Sequence, residues 1–205
     1  MTAPEALGAA AATILERTVA AHRAAVDRLG STHAQQLARL AADILAAWDG
    51  GGTLLVCGNG GSAADSQHLA AELCGRYLRD RPGWPALALT TDTSALTAVA
   101  NDYGFEQVFA RQVSALGRRG DVLLAISTSG NSPNCLAAVD AARDRGLRTH
   151  GLLGGDGGRL RERVHEALIV PADTTPRIQE LHITVIHMLC ELLEARRLAP
   201  GSGDD

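Results

Sequence analysis

Four hydroxyl residues within six positions, Ser127-Thr128-Ser129-Gly130-Asn131-Ser132, are a candidate phosphate site. They follow an apolar run at 121–126 and precede an Ala-rich stretch at 135–143 whose composition predicts a helix. A strand ending in such a loop presents unpaired backbone N–H groups, the positive end of a helix dipole and hydroxyl donors. Hydroxyl residues also crowd ordinary turns and caps, yet three Ser and one Thr exceed what one cap needs. Earlier, Gly58-Asn59-Gly60-Gly61-Ser62 forms a second small-residue loop after another apolar run. Behind it, His68 and Glu72 are four apart, so on a helix they share one face and could reach one ligand. The same spacing is that of an ordinary exposed ion pair.

These residues need elements to hold them. Stretches 5–28 and 32–48 read as helices, the second with Leu37, Leu40, Ile44 and Leu45 on one face. Ser31 and Thr32 are its expected caps, and Gly50-Gly51-Gly52 its stop. Strands are expected at 53–57, 86–90, 121–126, 149–153 and 167–170. Between them lie helices to about Arg76, from about Asp92 to Gly104, over 105–116 and over 135–143, and a long amphipathic helix follows at 176–197. Strands alternating with helices imply an α/β three-layer sandwich with a central parallel sheet, preceded by N-terminal helices. Ligands of such sheets bind beyond the carboxyl ends of the strands, where both loops fall. The expected organisation is a helical segment over 1–50, a single α/β domain over 51–198, and a disordered tail over 199–205.

Composition narrows the function. A net charge of −4 without any basic block argues against nucleic acid or an anionic membrane as partner. Aromatics are only 3% of the chain, so the core must be built of Ala, Leu and Val, with Trp48 and Trp84 as packing anchors. Cys57, Cys74, Cys135 and Cys190 show no C-x-x-C spacing, and Cys57 and Cys190 sit in apolar runs as small core residues. The N-terminus has no basic-then-apolar layout, and no apolar run approaches the ~20 residues of a membrane span, so the cytoplasm is the expected compartment. Gly58, Gly60 and Ala63 match the spacing of a dinucleotide fingerprint, but no acidic residue closes a second strand roughly 20 residues on. Asp80 falls in a charged loop, and neither loop carries a Walker lysine.

Taken in order, Gly58 to Ser62, His68-Leu69-Ala70-Ala71-Glu72-Leu73, Gly75-Arg76-Tyr77, Asn101 to Phe105, Ser127 to Ser132 and Arg177-Ile178-Gln179-Glu180 through His187 resemble the sugar isomerase (SIS) domain family, and within it the phosphoheptose isomerases. The resemblance implies conversion of D-sedoheptulose 7-phosphate to D-glycero-D-manno-heptose 7-phosphate, the opening step of nucleotide-activated heptose synthesis. It implies that Asn59, Gly60, Gly61 and Ser62 meet the sugar and that Asn101 and Asp102 hold its hydroxyls. Ser127, Thr128, Ser129 and Ser132 would take the phosphate. His68, Glu72, Gln179 and His187 would bind one zinc ion per subunit, Glu72 and Gln179 also touching substrate, with Glu72 and His187 as the acid/base pair. A homotetramer with active sites at subunit interfaces is implied too, the first helix packing on core and partner.

An aldose–ketose isomerisation through an enediol needs a base at carbon, an acid at oxygen and something to stabilise the enediolate. Glu72 and His187 supply the titratable pair, zinc would polarise the carbonyl, and the phosphate loop would orient the substrate. Periodicity alone is less decisive about the last helix, because Gln179 and His187 stand roughly 80° apart around its axis. Glu180 lies nearer the line of His187, and His182 is another ligand type there; the resemblance selects Gln179. Arg76 is placed to orient Glu72, or to form a plain helix ion pair with it. The competing reading is a non-catalytic SIS tetramer that binds a replication-initiator protein, a relative lacking the carboxylate and histidine found here as Glu72 and His187. A phosphosugar-sensing regulator would need an attached DNA-binding module, and the N-terminal ~50 residues carry no basic recognition helix. Ala63 stands where some members of the family have histidine.

Overall fold

The computed structural model describes residues 2–198. Two helices open the chain, α1 (Ala3–Val26) and α2 (Ser31–Asp49). Then come β1 (Leu54–Gly58), α3 (Gly61–Cys74), β2 (Ala86–Ala88), α4 (Thr93–Tyr103), α5 (Val108–Leu116), β3 (Val122–Ser127), α6 (Pro133–Asp144), β4 (Arg148–Leu153), β5 (Glu166–Ile169) and α7 (Thr175–Arg197). The five strands form one parallel sheet in the order β2-β1-β3-β4-β5. The strand order reverses direction between β1 and β3, which is where such sheets open a ligand crevice.

Alternation along the strands builds the three layers. On β3, Val122, Leu124 and Ile126 join one core with α2, α3 and α7, whereas Leu123 and Ala125 join a second core with α5 and α6. Being covered on both faces, β1 and β3 are buried throughout, and apolar from Leu54 to Cys57 and from Val122 to Ile126, rather than alternating with polar residues. Ile44 and Leu40 of α2 enter the first core, with Leu37 and Leu45 packed at its edge. Trp48 and Trp84 are buried there too, their rings 5.2 Å apart. Cys57, Cys135 and Cys190 are buried free thiols and Cys74 is exposed. Among the described residues no helix is long and apolar enough to cross a membrane.

Three local expectations are corrected. The cap of α2 is Gly30, not Ser31 or Thr32; the chain is extended at Gly30, whose N–H donates to Nδ1 of His33 at 3.1 Å. The expected helix 105–116 is broken, because Gly104 sits at φ +88° and the next turn is a short 3-10 segment, Phe105–Gln107. The strand expected at 86–90 ends at Ala88. The tail over 199–205 lies outside the described residues. Of α1 only Ala25 is buried, and Leu7, Ile14, Leu15 and Val19 are exposed. It is tied to α7 by Arg177, whose Nη1 donates to the Thr18 carbonyl at 2.8 Å.

Candidate active site

The chain leaves β1 through Gly58 and Asn59 and enters α3 at Gly61. Gly58 has no room for a side chain, since a Cβ would stand 2.9 Å from the Ile126 carbonyl of β3. At Gly61 a Cβ would come within 2.2 Å of Gln179 Nε2, so this glycine is what lets α7 lay Gln179 against the loop. An open cleft of about 460 Å³ lies there, lined by Gly61, Asp65 and His68 of α3 and by Gln179 and Glu180 of α7.

Beside His68 the two helices bring the proposed chemistry together. His68 Nε2 is 3.1 Å from His187 Nε2 and 3.3 Å from Glu72 Oε1. A hydrogen bond between the two rings requires that one of them carry its proton on Nε2. Tyr77, just past the end of α3, stacks on His187 with ring centroids 5.6 Å apart. The pairing of His68 with Glu72 is therefore more than a surface ion pair, because α7 closes on it.

Two imidazole nitrogens and a carboxylate are zinc-type ligands, and the 3.1 and 3.3 Å separations resemble the ~3.3 Å ligand–ligand edges of tetrahedral zinc. Among the described residues no group of three His, Cys, Asp or Glu side chains is closed around a metal position. Donor type and two edges fit; the set is not closed in this conformation.

The serine-rich loop at 127–132 leaves the end of β3, the strand next to β1. Ser127 Oγ and Ser132 Oγ are 3.0 Å apart, and Ser127 Oγ also accepts from the Gly130 N–H at 3.1 Å. Ser132 occupies the cap position of α6 but makes no side-chain capping bond, so capping does not account for its hydroxyl. Ser129 is exposed and Thr128 half-buried. Gly130 sits at φ +64°, and a Cβ there would lie 1.9 Å from the Gly157 carbonyl, so this turn admits glycine alone.

Asn59 has a partner that sequence reasoning missed. Its amide exchanges two hydrogen bonds with Asn134 of α6, at 2.8 and 2.7 Å, tying the glycine loop to the start of the phosphate-loop helix. Asp65 was missed as well. One of its carboxyl oxygens is buried without a partner, and burial raises its pKa to about 6 against the opposing pull of His68. Only its place one turn before His68 could have signalled either fact. Ser62 is buried at the start of α3. Asn101 and Asp102 are exposed on α4, bonded to each other at 2.8 Å, and do not line the cleft. Arg76 is exposed beyond the end of α3 and is not seen to bond Glu72, so its orienting role is not realised. Glu180 is engaged by His22, 2.8 Å away on α1, and by Arg177.

A fold with these two loops at its switch point is shared by a recognised class. The family model described as the SIS domain matches residues 19–154, and the chain belongs to that family. A phosphoheptose isomerase of Helicobacter pylori strain P12 is 50% identical over 181 residues, 88% of this chain and 94% of that protein. One from Pelobacter propionicus is 58% identical over 158 residues, 77% of this chain and 84% of its own length. The solved phosphoheptose isomerase of Neisseria gonorrhoeae superposes with a TM-score of 0.81 at 44% identity, covering 92% of this chain and 99% of that one. Within the SIS family, the chain belongs to the phosphoheptose isomerases. This likeness does not favour the non-catalytic alternative.

Proposed function

We propose that the chain isomerises D-sedoheptulose 7-phosphate to D-glycero-D-manno-heptose 7-phosphate, with Glu72 and His187 as its acid/base pair. The observation that carries this reading is the convergence of Glu72, His68 and His187 from α3 and α7 beside the cleft. One member of the pair takes a proton from C1 of the ketose and returns it at C2. The other moves a proton between O2 and O1, so that the enediol forms and collapses without net loss of atoms. Ser127, Thr128, Ser129 and Ser132 bind the phosphate and fix the reacting carbons; Asn59, Gly60, Gly61 and Ser62 border the sugar. Zinc, held by His68, Glu72, Gln179 and His187, would supply Lewis-acid polarisation of the carbonyl.

The exposed apolar residues of α1 suit packing against a second copy, consistent with a homotetramer whose subunit boundaries adjoin the site. Asn101 and Asp102, exposed in one chain, would then meet substrate held by a neighbour. The cytoplasm is the proposed compartment, and neither nucleic acid nor membrane is a partner.

Turnover of D-sedoheptulose 7-phosphate followed by NMR tests the reading. Glu72→Gln and His187→Gln should each lower kcat roughly 100-fold or more while the oligomer, read by size-exclusion chromatography, is kept. Wild-type inactivity, or full activity in either variant, refutes it. Zinc titration by calorimetry should show one site per chain that is lost in His68→Ala.

A further inference from the structure

Behind the acid/base pair lies an ion pair that the reaction does not touch. Arg81 Nε is 3.1 Å from Glu194 Oε1, and the two side chains are only 1% and 3% exposed. Burying two charges is costly unless their remaining hydrogen-bonding capacity is used. Here it is used on the segment that ends α3. Glu194 accepts the successive backbone N–H groups of Tyr77, Leu78 and Arg79, each at 3.1 Å. Arg81 donates from Nη2 to the carbonyl of Glu72 itself at 2.9 Å, and from Nη1 to the carbonyls of Leu73 at 2.9 Å and Gly75 at 3.3 Å. Its guanidinium carbon lies 3.5 Å over the ring of buried Trp84, which fixes the plane of the fork.

Both halves of the acid/base pair end at this point. Arg81 grips the peptide that carries Glu72, and Glu194 grips the peptide of Tyr77, whose ring packs on His187. Glu194 and His187 are seven residues apart on α7, two turns along one face, so a single helix supplies both the anchor and the imidazole. A hydrophobic pair could hold the loop as firmly. What the charged fork adds is direction: it specifies where the last carbonyls of α3 point, and with them the face that bears Glu72.

We propose that Arg81 and Glu194 are positioning residues for isomerisation, holding Glu72 and the Tyr77–His187 stack in register with each other. This rests on the assignment of Glu72 and His187 made above. Neither residue approaches the phosphate loop, so the two variants that break the fork should lower turnover and leave substrate affinity nearly intact.

The test is steady-state kinetics of the full chain on D-sedoheptulose 7-phosphate, at a temperature where circular dichroism shows each variant as folded as wild type. Arg81→Lys keeps the charge and loses the fork; Glu194→Gln keeps the shape and places an amide N–H among four donors. Each should lower kcat roughly 10- to 100-fold with KM held within about threefold. Tyr77→Leu leaves the ion pair intact, removes only the stack on His187, and should lower kcat in the same way. Asp43→Asn, which breaks an ion pair with Arg148 and His150 elsewhere in the molecule, should cost stability and spare kcat. Wild-type kcat in folded Arg81→Lys and Glu194→Gln overturns the proposal. Should those two not fold, wild-type kcat in Tyr77→Leu overturns it. An inactive wild type, or active Glu72→Gln and His187→Gln, would instead overturn the acid/base assignment.

Discussion

His182 should make this protein acid-sensitive in a defined window. It lies on α7 with no exposed surface, and neither ring nitrogen has a hydrogen-bond partner. Burial pulls its pKa from 6.5 down to about 4, against the opposing pull of the Leu153 backbone, which lies outside hydrogen-bond geometry. The unfolded chain therefore takes up a proton near pH 6.5 that the folded chain refuses until about pH 4. In that window the unfolded state binds more protons, so stability is full above about pH 6.5 and falls as the pH drops. A shift of this size corresponds to about 3 kcal/mol overall, of which about 2 kcal/mol is lost by about pH 5. For a chain of this length that is a fall in Tm of roughly 4–8 °C. The assay is urea unfolding of wild type and His182→Leu at about pH 7.5 and about pH 5, at one protein concentration, since association contributes to apparent stability. Leucine forfeits no hydrogen bond and nearly conserves volume, so at the higher pH the variant should lie within about 1.5 kcal/mol of wild type. It should lose about 2 kcal/mol less than wild type on acidification. Equal acid losses in the two proteins refute the reasoning, as does a large loss in the variant at the higher pH.

Two further predictions separate the parts of the site. Ser132→Ala should raise KM for the phosphosugar roughly tenfold with kcat little changed, because in the proposed reading it would remove a hydrogen bond to a charged group distant from the reacting carbons. Gly61→Ala should fold, because the Cβ meets only the far end of Gln179, but should weaken the proposed zinc site roughly tenfold in a calorimetric titration.

Residue pattern carried the architecture further than it carried the site. The runs at 54–57 and 122–126 are apolar without interruption, as a strand covered on both faces tolerates, and β1 and β3 follow the expected 53–57 and 121–126 within a residue. Helix ends were less legible because they turn on single backbone angles. Nothing in Ser31 and Thr32 tells that Gly30 takes the cap, and although the stop at Gly104 was legible, nothing tells that Phe105–Gln107 forms a 3-10 turn before the next helix begins at Val108. Polar pairs with long separations were illegible in principle. Asn134 is one more Asn near a helix start until Asn59, 75 positions away, exchanges two hydrogen bonds with it. Arg81 and Glu194 read as ordinary surface charges in a loop and a terminal helix, and 113 residues separate them. The spacing of His68 and Glu72 was visible, but its meaning depended on where α7 lies.

The sheet order explains why the site divides as it does. At the reversal between β1 and β3, one loop leaves for α3 and α7 on one face and the other for α6 on the opposite face. Titratable groups stand on the first pair of helices; the hydroxyls of Ser127, Thr128, Ser129 and Ser132 stand at the second exit. The two exits are joined by the Asn59–Asn134 bridge and little else among the described side-chain hydrogen bonds. In the proposed reading, a phosphosugar spanning the crevice would be held at one end by elements that take no part in proton transfer. Anchoring and chemistry can accordingly be altered one at a time, and substitutions on the α6 side should act on KM while those on α3 and α7 act on kcat.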